Sequence, residues 1–329
     1  MTVDKPICSL SLDLDNQWSY MKTHGDPGWE TFPSYLDVVV PRFLEILDEF
    51  GWKITVFVVG QDAALEKNRE ALQMIAAAGH EIGNHSFNHE PWLHLYTEHQ
   101  VEDEIIRAEE AIENATGQRP RGFRGPGYSL SRETLEVLAD REYLYDASTF
   151  PTYLGPLARA YYFMTSDFSE KEKEQRRAMF GGPRDGLRPV RPYWWQLDQR
   201  TILEIPVTTL PLLKIPIHFS YLLFIGSISA TLAALYFGAA LKICRLANTQ
   251  PSLLLHPLDF LGSDDVPELA FFPAMKTASS QKLAMLDRVL RILFSHFKVL
   301  QLGSHAEKLG CTSSLRVRSP DDLGRNSQP

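Results

Sequence analysis

This sequence contains few cysteines, and it has no excess of basic over acidic side chains. The three cysteines, Cys8, Cys244 and Cys311, are widely spaced, so they support neither a disulfide framework nor a CxxC metal site. Lys and Arg number 33 against 41 Asp and Glu, and this negative balance argues against a general nucleic-acid binder. The first residues, MTVDKPICSLSLDLD, lack the basic region and apolar core of a signal peptide. We therefore expect a cytoplasmic protein without a nucleic-acid partner.

What the sequence does have is a repeated alternation of strand-like and helix-like segments. The chain has 329 residues, of which 44% are hydrophobic, enough for one large domain. Apolar runs such as ICSLSLDLD and KITVFVVG alternate with helical patterns such as SYLDVVVPRFLEILDEFG. This order predicts a parallel sheet or barrel. We expect one catalytic domain over residues 1–310 and a disordered polar tail over residues 311–329.

Polar side chains recur where the predicted strands end. In parallel sheets and barrels, catalytic residues commonly lie at these strand ends. Asp15, His85 and His89 offer one carboxylate and two imidazoles. Three such ligands suit a hydrolytic metal site, because they leave one coordination position open for water. The other strand-end residues are Asp13, Arg124, Asp146 and His256. The sequence therefore predicts a metal-dependent site at this edge of the sheet.

The motifs LSLDLDN, HSFNHE, RGPGYS, YDAS and LLLHP, in this order, resemble those of the polysaccharide deacetylase family, also called carbohydrate esterase family four or the NodB-homology domain. The resemblance covers the chain from about residue 7 to about residue 300. It implies an α/β fold, a distorted and incomplete (β/α) barrel with about seven strands. It also implies one divalent metal ion, zinc before Co, Ni or Fe, with ligands Asp15, His85 and His89.

The same resemblance implies roles in the removal of an acyl group from an amide nitrogen on a sugar. Asp13 matches the catalytic base, and Arg124 matches the residue that orients this base. His256 matches the general acid, and Asp146 matches the carboxylate of the fourth motif. We expect a backbone N–H of the Gly125–Tyr128 turn to help stabilise the oxyanion.

Three departures from the family pattern bear on the substrate. The first motif is DLD, as in the branch with cytoplasmic peptidoglycan deacetylase-like and allantoinase-like proteins; RGPGYS lacks the second proline; and no tryptophan follows YDAS. A small or lipid-carried sugar is therefore favoured over a crystalline polysaccharide. The function we expect is N-deacetylation or deformylation of an amino sugar. Cyclic-amide hydrolysis and a catalytically idle sugar- or lipid-binding role stay open, and the sequence predicts no oligomeric state.

An apolar stretch over residues 215–241 contains no Asp, Glu, Lys or Arg. Its length could span a bilayer, but one span would separate His256 from the other motif residues. We expect an inserted helical hairpin within about residues 207–245, either buried against the barrel or in peripheral contact with the inner face of the membrane. The nearby segment RDGLRPVRPYWWQ combines arginines and aromatic residues, as in a lipid headgroup zone, and a solvated loop with one buried tryptophan is the alternative.

Overall fold

A computed structural model describes residues 5–154, 185–272, 275–311 and 315–323. Its strands are β1 (Ile7–Asp13), β2 (Thr55–Val58), β3 (Glu81–Asn84), β4 (Gly122–Phe123), β5 (Tyr145–Asp146), β6 (Tyr193–Leu197), β7 (Arg200–Glu204), β8 (Ser252–Leu255), β9 (Lys298–Leu300) and β10 (Arg316–Arg318). They form one sheet in the order β10-β6-β7-β5-β4-β3-β2-β1-β8, and β9 also pairs with β1.

The helices lie between these strands. They are α1 (Gln17–His24), α2 (Leu36–Glu49), α3 (Gly60–Ala63), α4 (Arg69–Ala77), α5 (Glu98–Thr116), α6 (Arg132–Asp140), α7 (Phe219–Ile228), α8 (Ala230–Leu246), α9 (Ser279–His296) and α10 (Leu302–Gly310). Helix α2 shows why they pack as they do: Leu36, Val40, Phe43 and Leu47 recur at helical spacing, and all four are buried.

The sheet closes on itself after β7. The Thr208 amide N–H donates to the Ser252 carbonyl oxygen (2.8 Å), and the Ser252 N–H donates to Thr208 Oγ1 (2.8 Å). These bonds join the end of β7 to the start of β8, so β8, β1, β2, β3, β4, β5 and β7 form a distorted ring. The predicted barrel with about seven strands is thereby confirmed, with β6, β9 and β10 added to it.

Parallel pairing brings the carboxyl ends of the ring strands to one edge. Partner positions include Asp13 with Phe57, Asn84 with Phe123, Phe123 with Asp146, and Leu12 with Leu255. The residues that follow these positions therefore face one another across a short distance.

The apolar stretch forms a hairpin of α7 and α8, which meet at Ser229. Leu222, Phe237 and Leu241 are buried on its inner side. On its outer side Phe224, Ile228 and Leu235 are 51%, 76% and 67% exposed. Among the residues that the structure describes, no helix is both long and apolar enough to cross a membrane.

Two other segments differ in part from what the sequence favoured. Residues 316–318 of the tail form β10, which pairs in parallel with β6, so the expected disorder does not hold there.

In RDGLRPVRPYWWQ, the alternation of β6 turns Tyr193 and Trp195 into the core, where both are buried. Arg188 pairs with Asp185 (2.8 Å), and Arg191 donates to the Ala247 carbonyl; Arg184 lies outside the described residues. The expected headgroup cluster is therefore not formed by these aromatic side chains.

Candidate metal centre and active site

The residues Asp15, His85 and His89 converge at the carboxyl edge of the ring. Asp15 lies two residues past β1, while His85 follows β3 directly and His89 lies farther along the same loop. Their ligand atoms all lie within 4.8 Å of one another, and the three residues are buried. Asp15 Oδ1 is 3.3 Å from His85 Nε2 and 3.0 Å from His89 Nε2.

Hydrogen bonding around the His85 ring indicates which atom is free for a metal. His85 Nδ1 lies 2.6 Å from the Arg124 carbonyl oxygen, which can only accept, so Nδ1 carries the proton. A neutral His85 therefore turns the Nε2 lone pair towards the Asp15 carboxylate. Asp15 Oδ1 and both His89 ring nitrogens are buried and make no hydrogen bond within the described residues. A cation between these atoms would remove the repulsion between their lone pairs, so the residues fit one divalent ion.

The electrostatics of this cluster also favour positive charge. Burial alone would raise the pKa of Asp15, but His89 and His85 outweigh it and hold that pKa well below its usual range. Burial alone would lower the pKa of His85, but Asp13 and Asp15 raise it overall. The pocket thus stabilises added positive charge, which either protons or a metal ion can supply.

Asp13 and Arg124 form a buried ion pair beside the three ligands. Arg124 Nη1 donates to Asp13 Oδ1 (2.7 Å) and to Ser11 Oγ (2.8 Å), and its Nε donates to the Ala147 carbonyl oxygen (2.9 Å). The guanidinium also lies 4.5 Å from the centre of the Phe57 ring. These contacts fix the Asp13 carboxylate in one orientation at the end of β1.

Asp146 lies at the end of β5, and its carboxyl group hydrogen-bonds to Ser148 and Glu204 rather than to Arg124. Ser148 Oγ donates to Asp146 Oδ1 (2.6 Å), and Asp146 also hydrogen-bonds to Glu204, its partner residue on β7. Burial raises the pKa of both carboxyl groups, and a hydrogen bond between two carboxyl groups requires a proton on one of them. Sequence reasoning missed Glu204, because nothing local distinguishes it from a surface residue at a strand end.

Ser148 connects this acid pair to the RGPGYS turn. Gly125 N–H donates to Ser148 Oγ (2.8 Å), and Tyr128 N–H donates to the Gly125 carbonyl oxygen (2.9 Å). These two N–H groups are satisfied within the protein, so neither is available for an oxyanion. The expectation stays a prediction for the remaining N–H of the turn, that of Gly127. A Cβ atom at Gly125 would lie 2.0 Å from the Ser129 carbonyl oxygen, so the turn requires glycine there.

His256 follows β8 directly, at the position next to Asp13 across the β1–β8 pairing. Its Nδ1 lies 3.2 Å from Ser220 Oγ, and its amide N–H donates to Asp259 Oδ2 (2.8 Å). Ser220 Oγ in turn donates to Asp259 Oδ1 (3.0 Å). Asp259 and Ser220 lie outside the sequence motifs, and Ser220 lies inside the apolar stretch, so sequence reasoning did not include them in the site.

Aromatic rings line the rim next to His256. Tyr128 and Phe150 stack with ring centres 4.8 Å apart, and the His218 ring lies 5.5 Å from Phe150 and 4.6 Å from Tyr221. Burial, together with the charges of His256 and Arg124, lowers the pKa of His218 to about 3, so this ring is neutral near pH 7. Charged groups and aromatic rings therefore lie close together around His256, a combination typical of ligand-binding sites.

Comparisons with known proteins agree with this geometry. Residues 23–145 match the profile of the family described as polysaccharide deacetylase. The chain is 29% identical over 168 residues to a peptidoglycan deacetylase of Helicobacter pylori, covering 49% of this chain and 55% of that protein. It is 30% identical over 104 residues to a peptidoglycan-N-acetylglucosamine deacetylase of Bacillus cereus, covering 32% of this chain and 37% of that protein. The chain thus matches about half or less of these relatives.

A solved structure shares the fold over nearly the whole chain. A Mycobacterium smegmatis protein assigned to the polysaccharide deacetylases superposes with a TM-score of 0.57 at 20% sequence identity. The superposition covers 97% of this chain and 96% of that protein. At this identity the likeness establishes the architecture and leaves the substrate open.

Proposed function

We propose that the chain, whose residues 23–145 match the polysaccharide deacetylase profile, is a metal-dependent hydrolase acting on an N-acylated amino sugar of the cell envelope. The acyl group would be acetyl or formyl. The observation that carries this proposal is the convergence of Asp15, His85 and His89 beside the Asp13–Arg124 pair. Amide hydrolysis needs a polarised carbonyl, a base for water and an acid for the amine, and this edge of the ring holds residues for each.

Asp15, His85 and His89 would hold one divalent ion. A set of one carboxylate and two imidazoles suits zinc, with Co, Ni or Fe as alternatives, and leaves a position open. When bound, such an ion polarises the amide carbonyl and lowers the pKa of water. His85 would keep its Nε2 directed at the ion because the Arg124 carbonyl oxygen accepts from its Nδ1.

Asp13 would take the proton of the attacking water, and His256 would give a proton to the departing amine. Arg124 holds Asp13 by the 2.7 Å bond from Nη1, so the base is oriented before substrate binds. His256 stands at the neighbouring strand end, so proton removal and proton delivery occur on the same edge of the ring. Each such acid or base step contributes about 10²- to 10⁴-fold. Asp146 would act as a positioning residue for the RGPGYS turn through Ser148.

The hairpin supports a lipid-linked substrate. Phe224, Ile228 and Leu235 present apolar side chains to solvent on one side of α7 and α8, while the first turn of α7 reaches His256 through Ser220. An apolar surface beside the site suits peripheral contact with the inner face of a membrane, or with the tail of a lipid-carried sugar. The proposal keeps the cytoplasmic location that the sequence favoured, with an unassigned oligomeric state.

Metal analysis combined with a substrate screen tests the proposal. The purified protein should contain about one divalent ion per chain. It should release acetate or formate from N-acylated amino sugars, faster when the sugar is on a polyprenyl phosphate than when it is free in solution. His85→Ala supplies the negative control. A metal-loaded protein that opens cyclic amides but releases no acid from any amino sugar would contradict the proposal.

A further inference from the structure

The hydroxyl group of Ser220 bridges His256 and Asp259. Ser220 lies in the first turn of α7, 36 residues before His256 in the chain, and its Oγ is 3.2 Å from His256 Nδ1 and 3.0 Å from Asp259 Oδ1. Asp259 is buried, and its other carboxylate oxygen accepts from the His256 amide N–H (2.8 Å). One carboxylate therefore holds the His256 backbone directly and the His256 ring through a hydroxyl.

The direction of these hydrogen bonds follows from the protonation state that His256 needs in order to act as a general acid. An imidazole that is ready to give a proton carries hydrogen on both ring nitrogens. His256 Nδ1–H then donates to Ser220 Oγ, and the Ser220 hydroxyl donates its own hydrogen to the Asp259 carboxylate. These two hydrogen bonds occupy Nδ1 of His256 and leave Nε2 as the nitrogen available to a substrate.

We propose that Ser220, with Asp259 behind it, is a positioning residue that holds His256 with Nε2 directed at the leaving amine. The inference rests on the acid role of His256 in the proposed function. The hydrogen bonds of the Ser220 hydroxyl go to His256 and Asp259, so it would act on the reaction through His256. It also makes the first turn of the inserted hairpin part of the active site.

A purely structural role for Ser220 is the alternative, and the neighbouring Ser227 represents that case. Ser227 lies on the same helix, and its Oγ donates to the Phe224 carbonyl oxygen (2.7 Å), a local bond that reaches no other element. Ser227→Ala therefore removes a hydroxyl from α7 without touching His256. It is the matched control for Ser220→Ala.

The test compares steady-state kinetics of the metal-loaded wild-type protein with those of Ser220→Ala, Ser220→Thr and Ser227→Ala. Ser220→Ala should lower kcat about 10- to 100-fold, as is common when a partner that orients an active-site histidine is removed. KM should stay within about twofold, because ground-state binding is retained. Ser220→Thr, which keeps the hydroxyl, should recover most of the rate, and Ser227→Ala should leave it unchanged.

Two further measurements separate positioning from general damage. The loss in Ser220→Ala should shrink on an N-acyl substrate whose leaving amine is weakly basic, because such an amine departs without full protonation. Adding Ser220→Ala to His256→Ala should cause no further loss. Equal losses on both substrates, additive losses in the double variant, or a Ser220→Ala protein with full rate would each overturn the inference.

The two proposals fail in distinguishable ways. If His256→Ala keeps the full rate, the acid role is wrong, and the inference about Ser220 falls with it. If His256→Ala loses turnover while Ser220→Ala does not, the proposed function stands and the inference alone is overturned. Metal content and melting temperature, measured for every variant, show that each remains folded and loaded.

Discussion

The chemistry of single residues in this site is set by hydrogen bonds that come from distant parts of the chain. His85 illustrates this, since the Arg124 carbonyl oxygen accepts from its Nδ1 and so leaves Nε2 for the metal position. The motif HSFNHE shows that two histidines are near each other, but it does not show which nitrogen of each ring is available. That information requires β4, which begins 37 residues after His85.

Removing one metal ligand should remove metal and activity together. His85→Ala and His89→Ala should each lower the metal content of the purified protein to a small fraction of wild type, and hydrolysis at least about 100-fold, because two ligands hold the ion poorly. Metal analysis and acetate release measure the two effects. His99→Ala is the control, because the His99 side chain is 93% exposed. Full metal occupancy in either ligand variant would show that the ion lies elsewhere.

Substituting either residue of the Asp13–Arg124 ion pair should have a different effect. Asp13→Asn keeps an oxygen for Arg124 Nη1 but removes the base, so metal content and stability should persist while turnover falls about 10²- to 10⁴-fold. Arg124→Met leaves the buried Asp13 carboxylate unpaired, and the free energy of unfolding should fall by about 3–5 kcal/mol. Urea unfolding and kinetics distinguish the two. Asp13→Asn with normal turnover would show that Asp13 is structural only.

At the scale of elements, the hairpin of α7 and α8 carries a prediction about membranes. Phe224 and Leu235 lie on its exposed side, so Phe224→Asp and Leu235→Asp should weaken co-sedimentation with lipid vesicles by disfavouring apolar insertion. Metal content should not change, because neither side chain reaches the ligands. Met74→Asp, a partly exposed apolar site on α4, is the control. Equal retention of all three variants by vesicles, or no binding by wild type, would contradict the prediction.

Element types could be predicted from the sequence where local pattern and tertiary role agree. Helix α6 begins after Ser131, whose Oγ accepts from the Thr134 N–H, and serine is a residue that local propensity favours at this N-cap position. The tail was different, because β10 exists only through pairing with the open edge of β6. For Tyr193 and Trp195 the sequence left a headgroup cluster and a buried position both open, since such a composition suits a membrane interface as well as a core. Whether a strand pairs at a sheet edge, and which of its side chains face the core, depends on the neighbouring elements in the fold. Local composition does not contain this information.

At the scale of the whole molecule, the ring explains why the motif residues could be found and their supports could not. Strand ends are visible in the sequence, and parallel pairing then brings Asp13, Asn84, Phe123 and Leu255 to one edge. Ser220 and Glu204 come from the hairpin and from β7, and neither has a motif around it. They matter only because the chain closes between Thr208 and Ser252. Residues that act through other residues therefore needed the three-dimensional structure.

The stability of the folded protein should depend on pH through a buried carboxyl group on α3, just past the end of β2. Asp62 is buried, and its Oδ1 accepts from Asn16 Nδ2 (2.7 Å) and Trp18 Nε1 (2.9 Å). Burial raises the pKa of Asp62 to about 7, whereas an unfolded chain gives an aspartate about 3.9. Between these values the folded state binds more protons than the unfolded state. The free energy of unfolding must therefore fall as pH rises through this window, by up to about 4 kcal/mol from this group.

Asp62→Asn isolates this contribution, because the amide remains neutral at every pH. Urea unfolding of the metal-free protein, with chelator present so that metal release does not intrude, should be compared at pH 5 and pH 8. The wild-type protein should lose more stability between the two values than Asp62→Asn, with Asp48→Asn as the control because the Asp48 side chain is 84% exposed. Parallel losses in wild type and Asp62→Asn would mean that Asp62 is already ionised at pH 5. The bonds from Asn16 and Trp18 would then outweigh burial, and the junction of α1 and α3 would be held by a buried charge.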